Sequence, residues 1–469
     1  MSVQVVLEET GFGLRAAVID DGALIELREL DRDDPQVTEA LFAARVTAVD
    51  PRLNAAFLEV GLGRQGLIVA KDARAAAGTP ERRPIRELLH EGQRLVVQGL
   101  REPVGDKGAR FTADVKLLGA ALVHTPLTAG AELPPTGRRA QDELRERGRT
   151  LFPDGRFALR RHAAGLGDEA LRVEAGQLAQ RWQQIERAAK AAKPGRLPMP
   201  ESLVERLVRG TLDLQPVAFV AAEPALLRAL EQLVAATPTL PPLEIVALAP
   251  EETAFAQTGV EEALEETLAP AVPLPGGGRL LIEPTAACVA IDVDGGGRAP
   301  LEANLAAAVE LARQVRLRNL GGTIIVDFID LPQKHERQRL EESLRRAFRR
   351  DPAPVEIHPI SPLGIVQISR ARRGEPLAAR HLAACACCDG SGTQPTPRIA
   401  AEQLLRALHS TRQPLTAVRV GAGLERFLRG EAAAIWREAM GRLGYQPPLR
   451  TDPALKDTGF ALDEGRHGG

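Results

Sequence analysis

Polar and apolar positions alternate from the start of the chain. VQVVLEE and LRAAVID each read as a strand with one buried face, and DDG (Asp20–Gly22) turns the chain into ALIELREL. The pattern predicts a β-hairpin. From Ala43 to about Val123, short apolar runs recur between Gly and Pro residues: ARVTAVDP, LNAAFLEVG, RQGLIVA, QRLVVQGL and ARFTADVKLLG. Strands this short and this evenly spaced predict a small β-barrel. TPLTAGAELPPTGRR breaks the pattern. Gln177–Ala192 has the periodicity of an amphipathic helix and ends in a linker, AAKPGRLPMP. Residues 200–268 mix strands and helices, and APAVPLPGGG (Ala269–Gly278) marks a further boundary.

The densest signal lies beyond that boundary. ACVAIDVD (Ala287–Asp294) is an apolar run ending in acids. LEANLAAAVELARQVRLRNL (Leu301–Leu320) is helical in period, with Gly321-Gly322 as its expected cap, and TIIVDFID is a second strand. Strand, crossover helix and strand make a βαβ unit with parallel strands. Sites gather at the carboxyl ends of such strands. Asp292 and Asp294 share a face by period two, and Asp327 falls beside Asp292 on the neighbouring strand. Two such carboxylates repel one another, and a divalent cation with oxygen ligands and retained water, such as Mg²⁺, cancels that cost. The bland alternative is that the acids merely end strands and face water.

Composition narrows the classes. A chain of 469 residues is too long for one core and predicts several domains. With 44% hydrophobic and 26% charged residues it reads as globular and soluble. A net charge of -2 excludes a general basic field, so nucleic-acid binding must come from local patches. MSVQVVLEET carries glutamates where a signal peptide needs an apolar run, and no apolar stretch is long enough to span a bilayer. Three of the four cysteines (Cys288, Cys385, Cys387, Cys388) fall in one short window, which is reduced, cytoplasmic usage.

Local basic segments do occur. KHERQRLEESLRRAFRR (Lys334–Arg350) has one Lys and six Arg against three Glu and directly follows Asp330. By itself it reads as a solvated amphipathic helix. SRARRGE (Ser369–Glu375) adds three arginines after the strand-like GIVQIS. Acids flanked by basic segments suit phosphodiester chemistry, the cations holding the backbone and the metal activating water. CACCDGSG holds a Cys-x-x-Cys, Cys385 to Cys388. Zinc wants four ligands, so either His381 and Cys387 contribute or a second copy of the chain completes the site. Chance clustering of thiols is the alternative.

Together these residues resemble the ribonuclease E/G family of bacterial endoribonucleases. The similarity runs from the first strand to the C-terminus. It is densest in NLAAAVELARQVRLRNLGGTIIVDFIDL, then in HPISPLGIVQISRARRG and the cysteine knuckle. The resemblance implies an α/β and β multidomain architecture. An RNase H-like domain would be split between 1–35 and 200–268. An S1-type OB-fold RNA-binding barrel would span 36–120 and a 5′-end sensor 121–199. A DNase I-like catalytic subdomain at 269–379, a zinc link at 380–396 and a small α/β dimerisation domain at 397–469 would follow.

By position, the resemblance implies that Asp292 and Asp327 hold a catalytic Mg²⁺. Cys385 and Cys388 would bind Zn²⁺ shared between two chains of a homodimer, which could assemble further. Phe57 takes the place of an RNA-stacking aromatic, Lys107 that of a phosphate-contacting lysine, and Arg161 that of the arginine gripping a 5′-monophosphate. The chain departs from the family at four places. Asp294 replaces an asparagine, and the loop after it, GGGRAP, is short. Leu67 replaces a second stacking aromatic, and His162 replaces a threonine beside the sensor arginine. The expected function is Mg²⁺-dependent cleavage of single-stranded RNA in the cytoplasm, leaving 5′-phosphate and 3′-hydroxyl ends and favouring 5′-monophosphorylated RNA. An RNA-binding member that has lost its chemistry is the second reading, and a zinc-stapled scaffold the third.

Overall fold

The computed structural model describes residues 3–33, 36–79, 81–103, 108–128, 138–198, 201–361, 363–372, 374–385, 387–388, 390, 392–411 and 415–464. Contacts divide the chain into two compact units, Met1–Arg380 and His381–Gly469. Within the first unit, strand Val3–Glu9 pairs antiparallel with Gly13–Asp20, which pairs with Ala23–Asp31. Its other edge pairs in parallel with Ala218–Ala221, and Glu244–Ala247 follows. One sheet is therefore built from chain on both sides of the intervening barrel.

The alternation in VQVVLEE predicts one buried face, but both faces are covered. Val5 and Leu7 pack with Leu207, Leu226 and Leu230, while Val6 packs with Phe255 and Val260. The even position Glu8 survives burial because Arg15 pairs with it and the Phe255 amide donates to Oε2 at 2.9 Å.

The barrel closes through strands Leu41–Asp50, Ala55–Glu59, Gly66–Val69, Arg110–Thr112 and Arg94–Arg101, the last pairing back to the first. Phe42 and Phe111 meet edge-to-face inside it, centroids 5.3 Å apart. A Cβ on Gly66 would lie 2.3 Å from the Phe111 ring, so only glycine lets that strand pass. The run ARFTADVKLLG divides, because Leu117–Leu118 leaves the barrel for a small sheet with Leu122–His124 and Phe157–Leu159. The helix expected from Gln177 begins a long way earlier, at Asp168, where Asp168 and Glu169 place negative charge in the first turn.

The last sheet of this unit runs Ala271–Pro273, Arg279–Pro284, Val289–Asp294, Gly322–Asp327, Ile365–Arg370, Val355–Ile357 in spatial order. The βαβ unit is present, but only Val289–Asp294 and Gly322–Asp327 pair in parallel; the other pairs are antiparallel. Burial alternates strictly along these strands. Leu280, Ile282, Ile291, Val293, Ile324, Val326, Val366 and Ile368 form one core with helices Pro300–Leu317 and Lys334–Ala347. The opposite face stays accessible, as antiparallel and mixed sheets allow.

Helix Pro300–Leu317 ends differently from expectation. Asn319, at φ 50°, takes the left-handed position. Asn319 donates to the Arg316 carbonyl and Leu320 to that of Val315, the two bonds of a Schellman ending. The glycines serve another purpose: a Cβ on Gly321 would lie 2.8 Å from Arg372 Cα, so the pair makes room for that chain.

The second unit packs helices Pro397–Ser410, Ala422–Arg429 and Ala433–Leu443 on a sheet of order Leu449–Thr451, Leu415–Val420, Phe460–Glu464. No helix among the described residues is long and apolar enough to cross a membrane.

Candidate active site

Asp292 and Asp327 are direct register partners across the one parallel pair of the last sheet. They lie on its accessible face rather than only at strand ends, since Ile291, Val293 and Val326 point into the core and the acids point away. Both are exposed, and among the described residues neither carboxylate accepts a hydrogen bond or joins an ion pair. Strand Gly322–Asp327 stops at Asp327, so Asp330 sits in the following segment. A buried asparagine fixes that segment. Asn304 Nδ2 donates to the Ile329 carbonyl at 2.7 Å, and the Ile329 amide donates to Asn304 Oδ1 at 3.1 Å. A lone amide in the apolar stripe of LEANLAAAV is the signal in the sequence for such a clamp.

Asp294 is engaged. The Gly296 amide donates to its Oδ1 at 3.0 Å, and Arg279 Nε lies 3.4 Å from its Oδ2. The short loop after it is held tightly. A Cβ on Gly296, at φ 60°, would come within 2.6 Å of Gly278 N, so the two glycine-rich turns abut backbone to backbone. Arg298 locks them by donating to the Pro275 carbonyl at 2.7 Å and pairing with Glu302 at 2.7 Å. Among the described residues no group of three acids, imidazoles or thiols is arranged to hold a metal ion.

The basic segments are used unevenly. Of the SRARRGE arginines, Arg370 is buried, donating to Asp351 at 2.9 Å and to the Leu320 carbonyl at 2.8 Å, so it is structural. Arg372 lies exposed over Gly322, and Arg373 lies outside the described residues. In helix Lys334–Ala347, Arg337 secures the Leu331 carbonyl at 2.7 Å, while Arg339 and Arg346 are exposed.

On the barrel's outer face Phe57 and Leu67 are cross-strand partners, each half-buried. Lys107 lies outside the described residues. At the proposed sensor, neighbouring arginines differ completely. Arg160 is buried, donating to Asp213 at 3.0 Å and to the carbonyls of Gly119 and Arg209. Arg161 is exposed and donates to Gln215 Oε1 at 3.3 Å. His162 lies in the same turn, half-buried, with a buried Nε2 that has no hydrogen-bond partner among the described residues. Burial, reinforced by the charge of Arg160, holds its imidazole below the usual range.

In the second unit Cys385 is exposed and Cys388 half-buried. The Cys388 amide donates to the Cys385 carbonyl at 3.3 Å, and the Gly392 amide approaches Cys388 Sγ at 3.3 Å. Cys387 turns elsewhere, its thiol 3.7 Å from Gln394 Oε1. Cys288 belongs to the turn before strand Val289–Asp294, where Thr285 accepts its amide hydrogen at 3.2 Å.

Known proteins are similar to this chain in sequence. The model of the Ribonuclease E/G family matches residues 117–373. Ribonuclease G of Salmonella typhimurium is 28% identical over 98% of this chain and 99% of its own length. Ribonuclease G of Escherichia coli K12 gives the same identity over the same shares. Ribonuclease E of that strain is 31% identical over 81% of this chain but only 38% of its own length. The family match includes both parallel strands and their aspartates, so this chain is a member of the ribonuclease E/G family of enzymes.

Proposed function

We propose that the protein is an endoribonuclease that hydrolyses single-stranded RNA at Asp292 and Asp327. The observation that carries this reading is the register pairing of two exposed carboxylates that no described residue neutralises. Adjacent like charges left unpaired fit a hard dication that completes its shell with water and phosphate oxygens, and Mg²⁺ is the natural occupant. When bound, such an ion acidifies a coordinated water and offsets charge on the reacting phosphate. The protein's own part is to hold the two carboxylates in register and to fix the Asp330 segment through Asn304. Arg279 offsets the charge of Asp294, which is how the acid is tolerated where the family has an amide. The products would carry 5′-phosphate and 3′-hydroxyl ends.

The remaining assignments belong to the same reading. The sheet built from two chain segments would be the RNase H-like domain and the closed barrel an S1-type clamp, with Phe57 stacking a base and Lys107 holding phosphate. Arg161 and His162 would grip a 5′-monophosphate; the exposure of Arg161 favours this. The thiols of Cys385 and Cys388 fit zinc, and the Gly392 amide beside Cys388 Sγ is a donor that stabilises a thiolate. Two thiols per chain meet a four-ligand requirement when two copies of the chain share one zinc. Cysteines outside any disulfide suit the cytoplasm.

The test is cleavage of a short 5′-monophosphorylated RNA by wild type and Asp327→Asn, in Mg²⁺ and in chelator. Cutting by wild type in Mg²⁺ alone is expected. Chelator-resistant cutting would overturn the mechanism. RNA binding without cutting, reversed by Asp294→Asn, would establish the binding-only reading.

A further inference from the structure

Two exposed side chains flank Ile365, the register partner of Asp327: Leu363 in the turn before the strand and Gln367 on it. Leu363 is 76% exposed. The described residues around it are hydrogen-bonded to one another. The Ser361 hydroxyl accepts from the Leu363 amide at 3.3 Å and the Ile365 amide at 3.2 Å. Ser361 donates to the Ile365 carbonyl at 2.9 Å and Gly364 to that of Ser361 at 3.0 Å. Gly364 adopts φ 80°, and a Cβ there would lie 3.1 Å from Asp330 Oδ1, so the turn is seated against the segment that follows Asp327. Ile365, where the turn ends, is the register partner of Asp327. The turn presents an apolar side chain to solvent next to the strand that pairs with Asp327, where the apolar face of a ligand would gain by covering it.

Gln367 is the second. It is exposed, it is the register partner of Ile325, and it lies on the same face as Asp327. Diagonal neighbours on one face are roughly 7–8 Å apart. Among the described residues its side-chain amide makes no hydrogen bond. An amide offers one donor group and one acceptor, the complement of a base edge.

We propose that Leu363 and Gln367 form a subsite for the base next to the scissile phosphate. Leu363 would cover the unstacked base, and Gln367 would read its edge. Single-stranded RNA is recognised in this way, by apolar contact and edge hydrogen bonds on splayed bases. The inference rests on Asp292 and Asp327 being the catalytic pair.

The experiment uses the full-length protein in Mg²⁺ and synthetic 5′-monophosphorylated RNAs. In these, each nucleotide flanking a mapped cleavage position is varied through A, C, G and U. Wild type should prefer one base at one flanking position by about 10-fold in kcat/KM. Gln367→Ala should flatten that preference. Leu363→Ala should lower kcat/KM on the preferred RNA by about 10-fold, mainly through KM, and Leu363→Met should restore most of it. Both residues are exposed, so matching melting curves confirm that the variants fold. An unchanged base profile in both variants, with Asp327→Asn inactive, would overturn the subsite and leave the catalytic pair standing. An active Asp327→Asn would instead remove the reading on which it rests. If Leu363→Ala changes the oligomeric state and leaves base preference intact, the face is a protein contact and the subsite is wrong.

Discussion

Two acidic places in the first unit have opposite fates. Glu26 is buried between Arg28 and Arg316, and Arg316 Nε donates to its Oε2 at 2.9 Å, tying the N-terminal sheet to helix Pro300–Leu317. Asp292 and Asp327 sit side by side on an accessible face with no cation supplied by the described residues. In the first case the chain completes the charge balance internally; in the second it leaves the balance to something that binds. The contrast separates an acid held inside the fold from two acids left open to a ligand. It also gives the two groups different responses to the same kind of substitution.

The largest effect is expected at the pair proposed to be catalytic, Asp292 and Asp327. Asp327→Asn should lower kcat by roughly 10³-fold or more, about 4 kcal/mol of barrier. It should leave the melting temperature equal or higher, because it relieves repulsion between adjacent carboxylates. Parallel measurement of turnover and thermal unfolding checks both halves. A variant that loses activity and stability together would place Asp327 with Glu26 among the structural acids.

Glu26→Gln should do the reverse, destabilising the fold by roughly 3–5 kcal/mol because Arg316 is left buried without its partner. Its pH signature has a definite sign. Burial alone would raise the Glu26 pKa, but the charges of Arg28 and Arg316 win and hold it at about 2, below the ordinary 4.5. A depressed carboxylate pKa contributes stability that is present above the unfolded value and lost as pH falls through the folded one. Wild type should therefore lose stability between about pH 4.5 and 2, and Glu26→Gln should show a flatter curve across that window in acid titrations of unfolding.

Much of this contrast was legible in the chain before its fold was known. The spacing of ACVAIDVD, the crossover helix and TIIVDFID placed Asp292 beside Asp327. Period-two alternation assigned Asp292 and Asp294 to one side. The open face was not legible, because an apolar run in a mixed sheet looks like a strand buried on both faces. Only the antiparallel neighbours and the packing of both helices on one side decide it. Arg370 shows the opposite failure. In SRARRGE it is indistinguishable from its neighbours, yet its parity on strand Ile365–Arg370 turns it inward to Asp351. Asn319 capped a helix that the glycine pair was expected to end, since a left-handed asparagine is almost as permissible as glycine there.

The adjacent arginines of RRHAAGLG sharpen the same distinction on a smaller scale. Arg161→Ala should reduce the preference for 5′-monophosphate over 5′-hydroxyl RNA by about 10–100-fold, the worth of a charge-assisted contact. It should leave melting unchanged. Arg160→Ala should lower the melting temperature, because Asp213 and two carbonyls lose their donor. Comparing the kcat/KM ratio for the two RNA ends with the melting curve of each variant identifies which guanidinium faces the ligand.

The smallest effect concerns the barrel. Phe57 and Leu67 are cross-strand partners, so their side chains form one surface. A base can stack on an aromatic ring, whereas on leucine it gains only apolar contact. Phe57→Ala should therefore weaken RNA binding by about 1–3 kcal/mol. Leu67→Phe should strengthen it by a smaller amount, about 1 kcal/mol, as half of a second platform is added to an existing one. Binding measured in the inactive Asp327→Asn background, at fixed salt, isolates this contribution from turnover. A double variant, Phe57→Ala with Leu67→Phe, decides whether the position or merely the aromatic content matters. Recovery of affinity would mean that either strand can present the ring. Failure to recover would mean that the strand Ala55–Glu59 alone faces the RNA path.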